Sequence, residues 1–240
     1  MSLLSQLSTD SNIADEKDSV GGGSRVRESG LYPMTVALAY LTKSKGEALA
    51  LNLVLKDSAG EVKQQLWMTS GKEKGCKNFY EKDGEKFYLP GFLQANALAL
   101  LTLGKEISQL DTEPKVVNLY NYDAKAEVPT KVDMIMDLVG TEILVGLIKQ
   151  TVDKNVKDAT GKYVPSGETR DENEVDKMFR MKDRMTTAEI RAQADEAVFH
   201  ETWSTKWAGQ TKDKSTKGAG TAGAPKPAAA AGKPTSSLFN

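Results

Sequence analysis

Residues 49–69 read LALNLVLKDSAGEVKQQLWMT and contain two apolar runs separated by a short polar turn. In the first run every second residue is leucine, at positions 49, 51, 53 and 55. In the second run Val62, Leu66 and Met68 share one side, which Gln64 interrupts. A period of two is typical of β-strands with one buried face, and residues 57–60 have the composition of a tight turn. We therefore predict two antiparallel strands joined by a hairpin.

The segment before this hairpin shows the same alternation. One side of the predicted strand is formed by Tyr32, Met34, Val36, Leu38 and Tyr40. Residues 45–47 interrupt the pattern as a turn would, so the three strands should form a meander. Later segments predict a helix over residues 91–104 and strands over 116–120, 132–136 and 142–150. The core candidates on that helix are Phe92, Leu93, Ala97, Leu100 and Leu101.

The last third of the chain contains a polar stretch and then a helical pattern. Residues 153–174 are rich in turn-forming residues, which predicts a long hairpin or a mobile loop. Thr186 is followed three residues later by Glu189, a capping box that should begin a helix. Phe199, Trp203 and Trp207 recur at helical spacing and form one stripe. The pattern leaves open whether this stripe packs internally or mediates self-association.

The composition of the 240-residue chain excludes several classes of protein. The net charge is −1, which excludes a uniformly basic nucleic-acid binder but not a locally basic one. The single cysteine, Cys76, rules out an intramolecular disulfide. No apolar run reaches the ~18 residues of a membrane span. The first twenty residues are acidic rather than signal-like, which predicts a cytoplasmic protein.

Common catalytic motifs are missing from the sequence. His200 is the only histidine, and no phosphate-binding, dinucleotide-binding or nucleophile-elbow motif occurs. We therefore expect no enzymatic activity, no cofactor and no metal. A carboxylate run keeps a metal-dependent nuclease open as an alternative, although such runs usually form a solvated face. It comprises Asp171, Glu172, Glu174 and Asp176.

Trp67 is the first candidate functional residue. Side chains alternate along a strand, so Trp67 and Lys63 should face away from the apolar set that contains Leu66. An exposed tryptophan beside a cation provides a platform on which any nucleic-acid base can stack. The alternative is that the helix covers Trp67 and forms a second core.

The segment that follows Trp67 mixes basic and aromatic residues. Lysines neutralise phosphates, and aromatic rings stack on bases. The candidates in this loop are Lys72, Lys74, Lys77, Phe79, Tyr80, Lys86 and Tyr88. The alternative is an ordinary hairpin with its turn at residues 83–84, in which one aromatic ring of each adjacent pair packs inward. Weaker candidates are Lys149, Lys154 and Tyr163, where a strand enters the polar stretch.

These features occur in a characteristic order: a strand meander, an aromatic and basic loop, a helix, further strands and a tail with a short apolar tip. In this order, and in the wording of residues 29–32 and 66–70, the chain resembles bacteriophage single-stranded-DNA-binding proteins of the OB-fold type over residues 29–150. The resemblance implies a mainly β protein, with an OB-fold-like antiparallel β-barrel and one or two helices. It also implies sequence-tolerant binding of single-stranded DNA in phage replication, recombination or repair, in the host cytoplasm. Many such proteins end in an acidic tail that competes with DNA, whereas this tail is basic.

We expect four segments along the chain. Residues 1–28 are predicted to be disordered, residues 29–184 to form the OB-like DNA-binding domain, residues 185–208 an amphipathic helix, and residues 209–240 a disordered basic tail. Leu238 and Phe239 form an apolar tip on that tail, and residues 237–239 are similar to the core of peptides that bind bacterial sliding clamps. We predict that this tip binds a sliding clamp, a polymerase or another replication protein; an inert end is the alternative.

Two other functions remain open besides DNA binding. The aromatic surfaces would serve equally well in a protein-interaction or scaffold module, and the carboxylates would serve in a nuclease. The salt dependence of the affinity distinguishes DNA binding from the protein-interaction module. Phosphate contacts weaken steeply as the salt concentration rises, and an apolar protein interface does not. The oligomeric state is not determined by the sequence.

Overall fold

The computed structural model describes residues 26–121 and 124–216. This part of the chain forms ten strands and three α-helices. The strands are β1 (Gly30–Lys43), β2 (Leu49–Asp57), β3 (Gly60–Trp67), β4 (Phe79–Lys82), β5 (Glu85–Tyr88), β6 (Glu113–Asn121), β7 (Ala126–Met134), β8 (Glu142–Lys157), β9 (Tyr163–Phe179) and β10 (Thr211–Asp213). The helices are α1 (Pro90–Leu103), α2 (Thr187–Arg191) and α3 (Phe199–Trp207).

Eight of the described strands belong to one sheet, and β4 and β5 form a separate hairpin. The main path runs β10-β8-β1-β2-β3, with β9 on the other edge of β8 and the β6–β7 hairpin attached to β1 through β7. All of these pairs are antiparallel except β10 with β8. The prediction of a mainly β, antiparallel protein is therefore confirmed.

The sheet curls around a single main core. Buried residues from β1, β2, β3, β8, β9 and α1 all belong to one apolar cluster, which requires the first and last strands to face each other. The predicted face of β1 is correct only as far as Val36. A bulge between Val36 and Leu38 shifts the register, so Ala39 is buried and Leu41 packs against the core, in place of Leu38 and Tyr40.

The two ends of the curled sheet meet at β3 and β9. No ladder pairs these two strands within the described residues. The Gln64 side chain bridges them instead, because its Oε1 accepts from the Val175 N–H (3.2 Å). Gln94 on α1 joins the helix to the same residue, donating from Nε2 to the Val175 carbonyl (2.9 Å). The result is an open seam between β3 and β9, bordered by the N-terminal end of α1.

Helix α1 begins with Pro90 at its first position and ends at Gly104, whose positive φ suits glycine. Its apolar residues lie on nearly every side, so helical periodicity did not identify the buried face. Leu101 is buried as predicted, but Leu93 is half exposed, and Ala95 and Leu98 are buried in its place.

Helix α3 packs on the outer face of the sheet and forms a second, smaller core. Trp203 and Trp207 are buried against Leu144, Ile148 and Phe179. The Trp203 indole N–H donates to Asp176 Oδ2 (2.7 Å). A Cβ on Gly146 would lie 2.8 Å from the Trp203 ring, so glycine is needed beneath the indole. The two tryptophans of the stripe therefore pack internally, while Phe199 is partly exposed.

The segment predicted as one helix over residues 185–208 contains two helices. Glu189 explains the break. Its carboxylate accepts from the Thr186 N–H in a capping box at α2, and also from the Val198 and Phe199 N–H groups (both 2.8 Å) at the start of α3. Burial acts to raise the pKa of Glu189, but these backbone bonds and the Thr186 hydroxyl outweigh it and lower the pKa from 4.5 to about 2.

Low pH should therefore destabilise the junction between α2 and α3, which Glu189 holds together. A folded-state pKa below the unfolded one contributes stability that is complete above pH 4.5 and is lost as the pH falls toward 2. We expect Glu189→Gln to lower the free energy of unfolding by about 1–2 kcal/mol at pH 7, the usual range for a lost helix cap. Urea unfolding at pH 7 and pH 3 measures this. The difference between wild type and variant should shrink at pH 3; an equal difference at both values would contradict the assignment.

Residues 26–28 and 209–216 belong to the two segments predicted to be disordered, yet both stretches are bound to the sheet. Arg27 forms an ion pair with Asp57, and its main chain exchanges hydrogen bonds with the Asn173 side chain. In the tail, β10 is paired with β8, and Lys214 binds Glu174 at 2.8 Å. Residues 1–25 and 217–240, including Leu238 and Phe239, lie outside the described residues. None of the helices in the described ranges has the length and apolar content needed to cross a membrane.

Candidate nucleic-acid interface

Trp67 ends β3 on the outer face of the sheet, as the alternation predicts. Its neighbour Leu66 is buried in the core, whereas Trp67 is 42% exposed. Trp203 and Trp207 are only 3% and 6% exposed. The alternative that α1 buries Trp67 in a second core is therefore wrong, and Trp67 is the single tryptophan of the chain with an accessible ring.

A row of polar side chains lies beside Trp67 on the same face. Gln65 Nε2 donates to Asn52 Oδ1 (2.9 Å), and Asn52 Nδ2 donates to Thr42 Oγ1 (2.8 Å). This row crosses β3, β2 and β1 and fixes the orientation of the amides. Hydrogen-bonding groups next to an exposed aromatic ring can bind the edge of a base that stacks on the ring.

Trp67 forms part of the wall of an open groove of about 950 Å³ along the β3–β9 seam. Its lining includes Lys72, Glu73 and Lys74 from the loop after β3, together with Gln64, Gln94 and Val175. We call this concavity the stacking groove. The loop that carries the two lysines is fixed in place, because the Lys72 N–H donates to the Gly46 carbonyl at 2.8 Å.

Gly91, at the start of α1, sets the position of Trp67. A Cβ on Gly91 would lie 2.2 Å from the Trp67 carbonyl oxygen and 2.6 Å from its nitrogen. No side chain fits at that separation, so the helix contacts the strand backbone directly. Glycine at position 91 thereby determines how far α1 stands from β3 and where the indole projects.

We expect Gly91→Ala to disturb both folding and binding. The added methyl group meets backbone, which cannot rotate away, so the free energy of unfolding should fall by about 1–3 kcal/mol. Urea unfolding and oligonucleotide titration measure the two effects. Gly46→Ala is a matched control in the same groove, because the nearest atom to a Cβ there is 3.8 Å away. Equal behaviour of the two variants would contradict a role for the Gly91 contact.

The loop of residues 71–90 contains the β4–β5 hairpin. Phe79 pairs with Tyr88, and Tyr80 pairs with Phe87. The Tyr80 and Phe87 rings stack at 5.7 Å. None of these four rings is buried. The alternative of an ordinary hairpin is therefore correct about the turn at residues 83–84, but it is wrong about rings packing into the core. The ammonium groups of Lys77 and Lys86 lie 5.4 and 5.2 Å from the Phe79 ring.

The hairpin continues the stacking groove. A second depression of about 370 Å³ is lined by Lys74, Lys77, Phe79 and Tyr80. It shares Ser70, Lys74 and Leu89 with the stacking groove. Six of the predicted site residues therefore line these two adjoining concavities: Trp67, Lys72, Lys74, Lys77, Phe79 and Tyr80. Lys86 and Tyr88 lie on the same hairpin without lining either one, on the face that carries the Phe79 ring, whereas Tyr80 and Phe87 share the other face.

The remaining predicted residues lie elsewhere. Lys63 lines a different concavity at the far end of the seam, with Glu61, Asp171 and Glu172. Lys149 forms ion pairs with Glu28 (2.8 Å) and Asp171 (3.8 Å), and the hydrogen bond that its ammonium group donates to Glu28 raises the pKa of Lys149.

The other two candidates project from the long β8–β9 ribbon. Lys154 binds Glu168 at 3.0 Å. Tyr163 is 64% exposed and lies beside the Lys157 ammonium group. Neither residue lines the stacking groove or the adjoining depression.

Two groups of residues at the site were missed by sequence reasoning. Gly91 positions Trp67, and Gln64 and Gln94 hold Val175 of β9 against β3 and α1. Only Gln64 carried a visible signal, because a polar residue interrupts the apolar side of β3. The contacts of Gly91 and Gln94 join segments that are distant in sequence.

The carboxylate run of β9 is used for structural contacts. Glu174 binds Lys212 and Lys214, Asp176 binds Trp203, and Arg170 binds Glu172. Within residues 26–121 and 124–216, no group of three or more histidine, cysteine, aspartate or glutamate side chains is arranged to hold a metal ion.

The sequence matches no protein-family model, and a search of curated proteins finds no similar chain.

Proposed function

We propose that this chain is a non-enzymatic, sequence-tolerant single-stranded-DNA-binding protein. The observation that carries the proposal is the exposed Trp67 in a lysine-rimmed groove that continues onto an exposed aromatic hairpin. Every base has a π-face, so exposed rings beside cations bind single strands without regard to sequence. In a duplex the base faces are already stacked and unavailable, which favours a single-stranded ligand.

The strand order supports assignment to the OB fold. Strand β1 pairs with both β2 and β8, β8 pairs with β9, and α1 lies between β3 and β8 in sequence. An OB fold is a partly open five-stranded barrel that binds oligonucleotides on the face of its second and third strands and on two loops. The corresponding parts here are the face of β2 and β3, residues 44–48, and the tip of the β8–β9 hairpin.

Tryptophan fluorescence during titration with oligo-dT tests the proposal. Trp203 and Trp207 are buried, so quenching by a stacked base should come from Trp67. We expect saturable quenching that weakens as salt rises, because each neutralised phosphate releases counterions. Absence of both quenching and binding would exclude the DNA-binding function and favour a protein-interaction module.

The lysines on the groove and hairpin should account for the salt dependence. On single strands each phosphate contact contributes about −0.7 to the slope of log K against log salt. We expect Lys74→Ala combined with Lys77→Ala to reduce the magnitude of the slope by about 1.4, twice that value. The matched control is Lys105→Ala, beyond the opposite end of α1, which should leave the slope unchanged. An unchanged slope in the double variant would remove these two lysines from the interface.

We further propose that the protein acts in bacteriophage DNA replication or recombination, in the bacterial cytoplasm. This part rests on the family resemblance and on the basic and aromatic surface. Leu238 and Phe239 are proposed to bind a replication protein. Replacing both with alanine should abolish capture of that partner and leave oligo-dT affinity intact.

A further inference from the structure

An apolar pocket lies next to the stacking groove, behind residues 75–78. Its volume is about 450 Å³, within the ~300–1,000 Å³ typical of ligand pockets. The apolar part of its lining consists of Leu41, Leu49, Met68, Phe92, Ile107, Leu110 and Ile135. Most of these side chains belong to the main core or pack against it, so the pocket is a gap at the edge of that core.

Polar groups surround the pocket opening. Asn78, Ser108 and Thr112 contribute to the lining, and their side chains form no hydrogen bonds with other described residues. Lys77 adds a cation at the same rim. A ligand with an apolar body and polar edges would satisfy both the floor and the rim.

The pocket adjoins the surface proposed to carry the DNA. Thr69 lines both this pocket and the stacking groove, and Lys77 lines both this pocket and the hairpin depression. The Phe92 ring inside the pocket lies 5.1 Å from the ring of Tyr88 on the hairpin. A strand that follows the groove and the hairpin therefore passes the pocket opening.

We propose that the pocket takes one nucleobase of the bound strand, with Phe92 as its stacking surface. The inference rests on the proposed function and adds a second, enclosed base site to it. A nucleobase has apolar faces and hydrogen-bonding edges, which match the aromatic floor and the unpaired amide and hydroxyl groups. An apolar side chain from a protein partner would leave those groups unused.

Cys76 offers a direct test in the unmodified chain. It is the only cysteine, is exposed, and lines the pocket. We expect saturating oligo-dT to slow alkylation of Cys76 by a small maleimide by about tenfold or more. An abasic strand of the same length and charge should leave the rate unchanged at saturation, because it has no base to insert.

Two results would overturn the inference while leaving the DNA-binding function intact. The first is an unchanged alkylation rate under conditions where oligo-dT quenches Trp67, which would favour an apolar side chain of a protein partner as the occupant. The second is equal protection by the abasic strand, which would mean that the backbone merely covers Cys76. If the proposed function itself is wrong, oligo-dT will neither quench the fluorescence of Trp67 nor protect Cys76 from alkylation.

Variants provide a second readout. Phe92→Leu keeps an apolar side chain but removes the ring, and should weaken oligo-dT binding about tenfold, as expected for one lost stacking contact. Ser108→Trp, at an exposed position on the rim, should block the opening and have a similar effect. Phe199→Leu on α3 is the matched control for loss of a ring. Unchanged affinity in both pocket variants would overturn the assignment.

Discussion

Trp67→Ala should weaken binding of oligo-dT by about 5- to 150-fold while leaving the fold intact. Replacing an aromatic residue that stacks on a base costs about 1–3 kcal/mol, and the conversion at 1.4 kcal/mol per factor of ten gives about 5- to 150-fold. The side chain is 42% exposed, whereas its contact with α1 is made by the Trp67 backbone. Fluorescence anisotropy of a labelled strand measures the loss, and urea unfolding checks that the fold is unchanged.

Two further variants make this result interpretable. Phe199 on α3 is exposed to a similar degree, 38%, and lies on a different face, so Phe199→Ala should leave affinity unchanged. Trp67→Phe keeps a stacking ring and should recover most of the binding. If Trp67→Ala binds as tightly as wild type, stacking on this residue is not the source of affinity. The exposed Trp67 would then no longer support the proposed function.

The orientation of Trp67 could be predicted because it depends only on local alternation. Leu66 points inward and Trp67 outward in any strand that buries its leucines. The same rule failed in β1, where the bulge between Val36 and Leu38 inserts one residue and exchanges the faces beyond it. Nothing in the alternation of the sequence marks a bulge, because both faces of β1 carry apolar residues.

The long β8–β9 ribbon shows a second limit of pattern analysis. The outer parts of both strands, from Thr151 to Lys157 and from Tyr163 to Asp171, pair with each other across an irregularity between Asp153 and Asn155, yet they have no buried apolar face. Cross-strand polar contacts hold them, such as Thr151 Oγ1 to Asp171 Oδ1 at 2.8 Å. A hydrophobic period cannot identify a ribbon that is solvated on both sides, so residues 153–174 suggested a hairpin or loop without fixed ends.

The site was predictable in its residue types but not in its grouping. Interleaved lysines and aromatic residues in the loop of residues 71–90 indicated a binding surface, and most of them lie on the stacking groove or the adjoining hairpin. Lys63 and Trp67 were expected to act together because they share a face of β3. They line two different concavities instead, since Lys63 lies beside the carboxylates of β9 at the far end of the seam. That separation depends on how the sheet curls, which is a long-range property.

Trp203→Ala should be the most destabilising of the substitutions considered. Truncating a buried tryptophan typically costs about 3–5 kcal/mol, because a cavity remains after the transfer energy is lost. Here the change also uncovers Gly146 and removes the hydrogen-bond donor to Asp176. Urea unfolding followed by far-ultraviolet circular dichroism measures the loss without relying on the deleted fluorophore.

Trp67→Ala is the matched control, with the same chemical change at an exposed position. A loss below about 1 kcal/mol, the level of an ordinary substitution, would mean that α3 is not docked on the outer face of the sheet. Because this second core is separate from the stacking groove, the variant should still bind oligo-dT at temperatures where it remains folded. Loss of DNA affinity in the folded variant would instead place α3 in the interface.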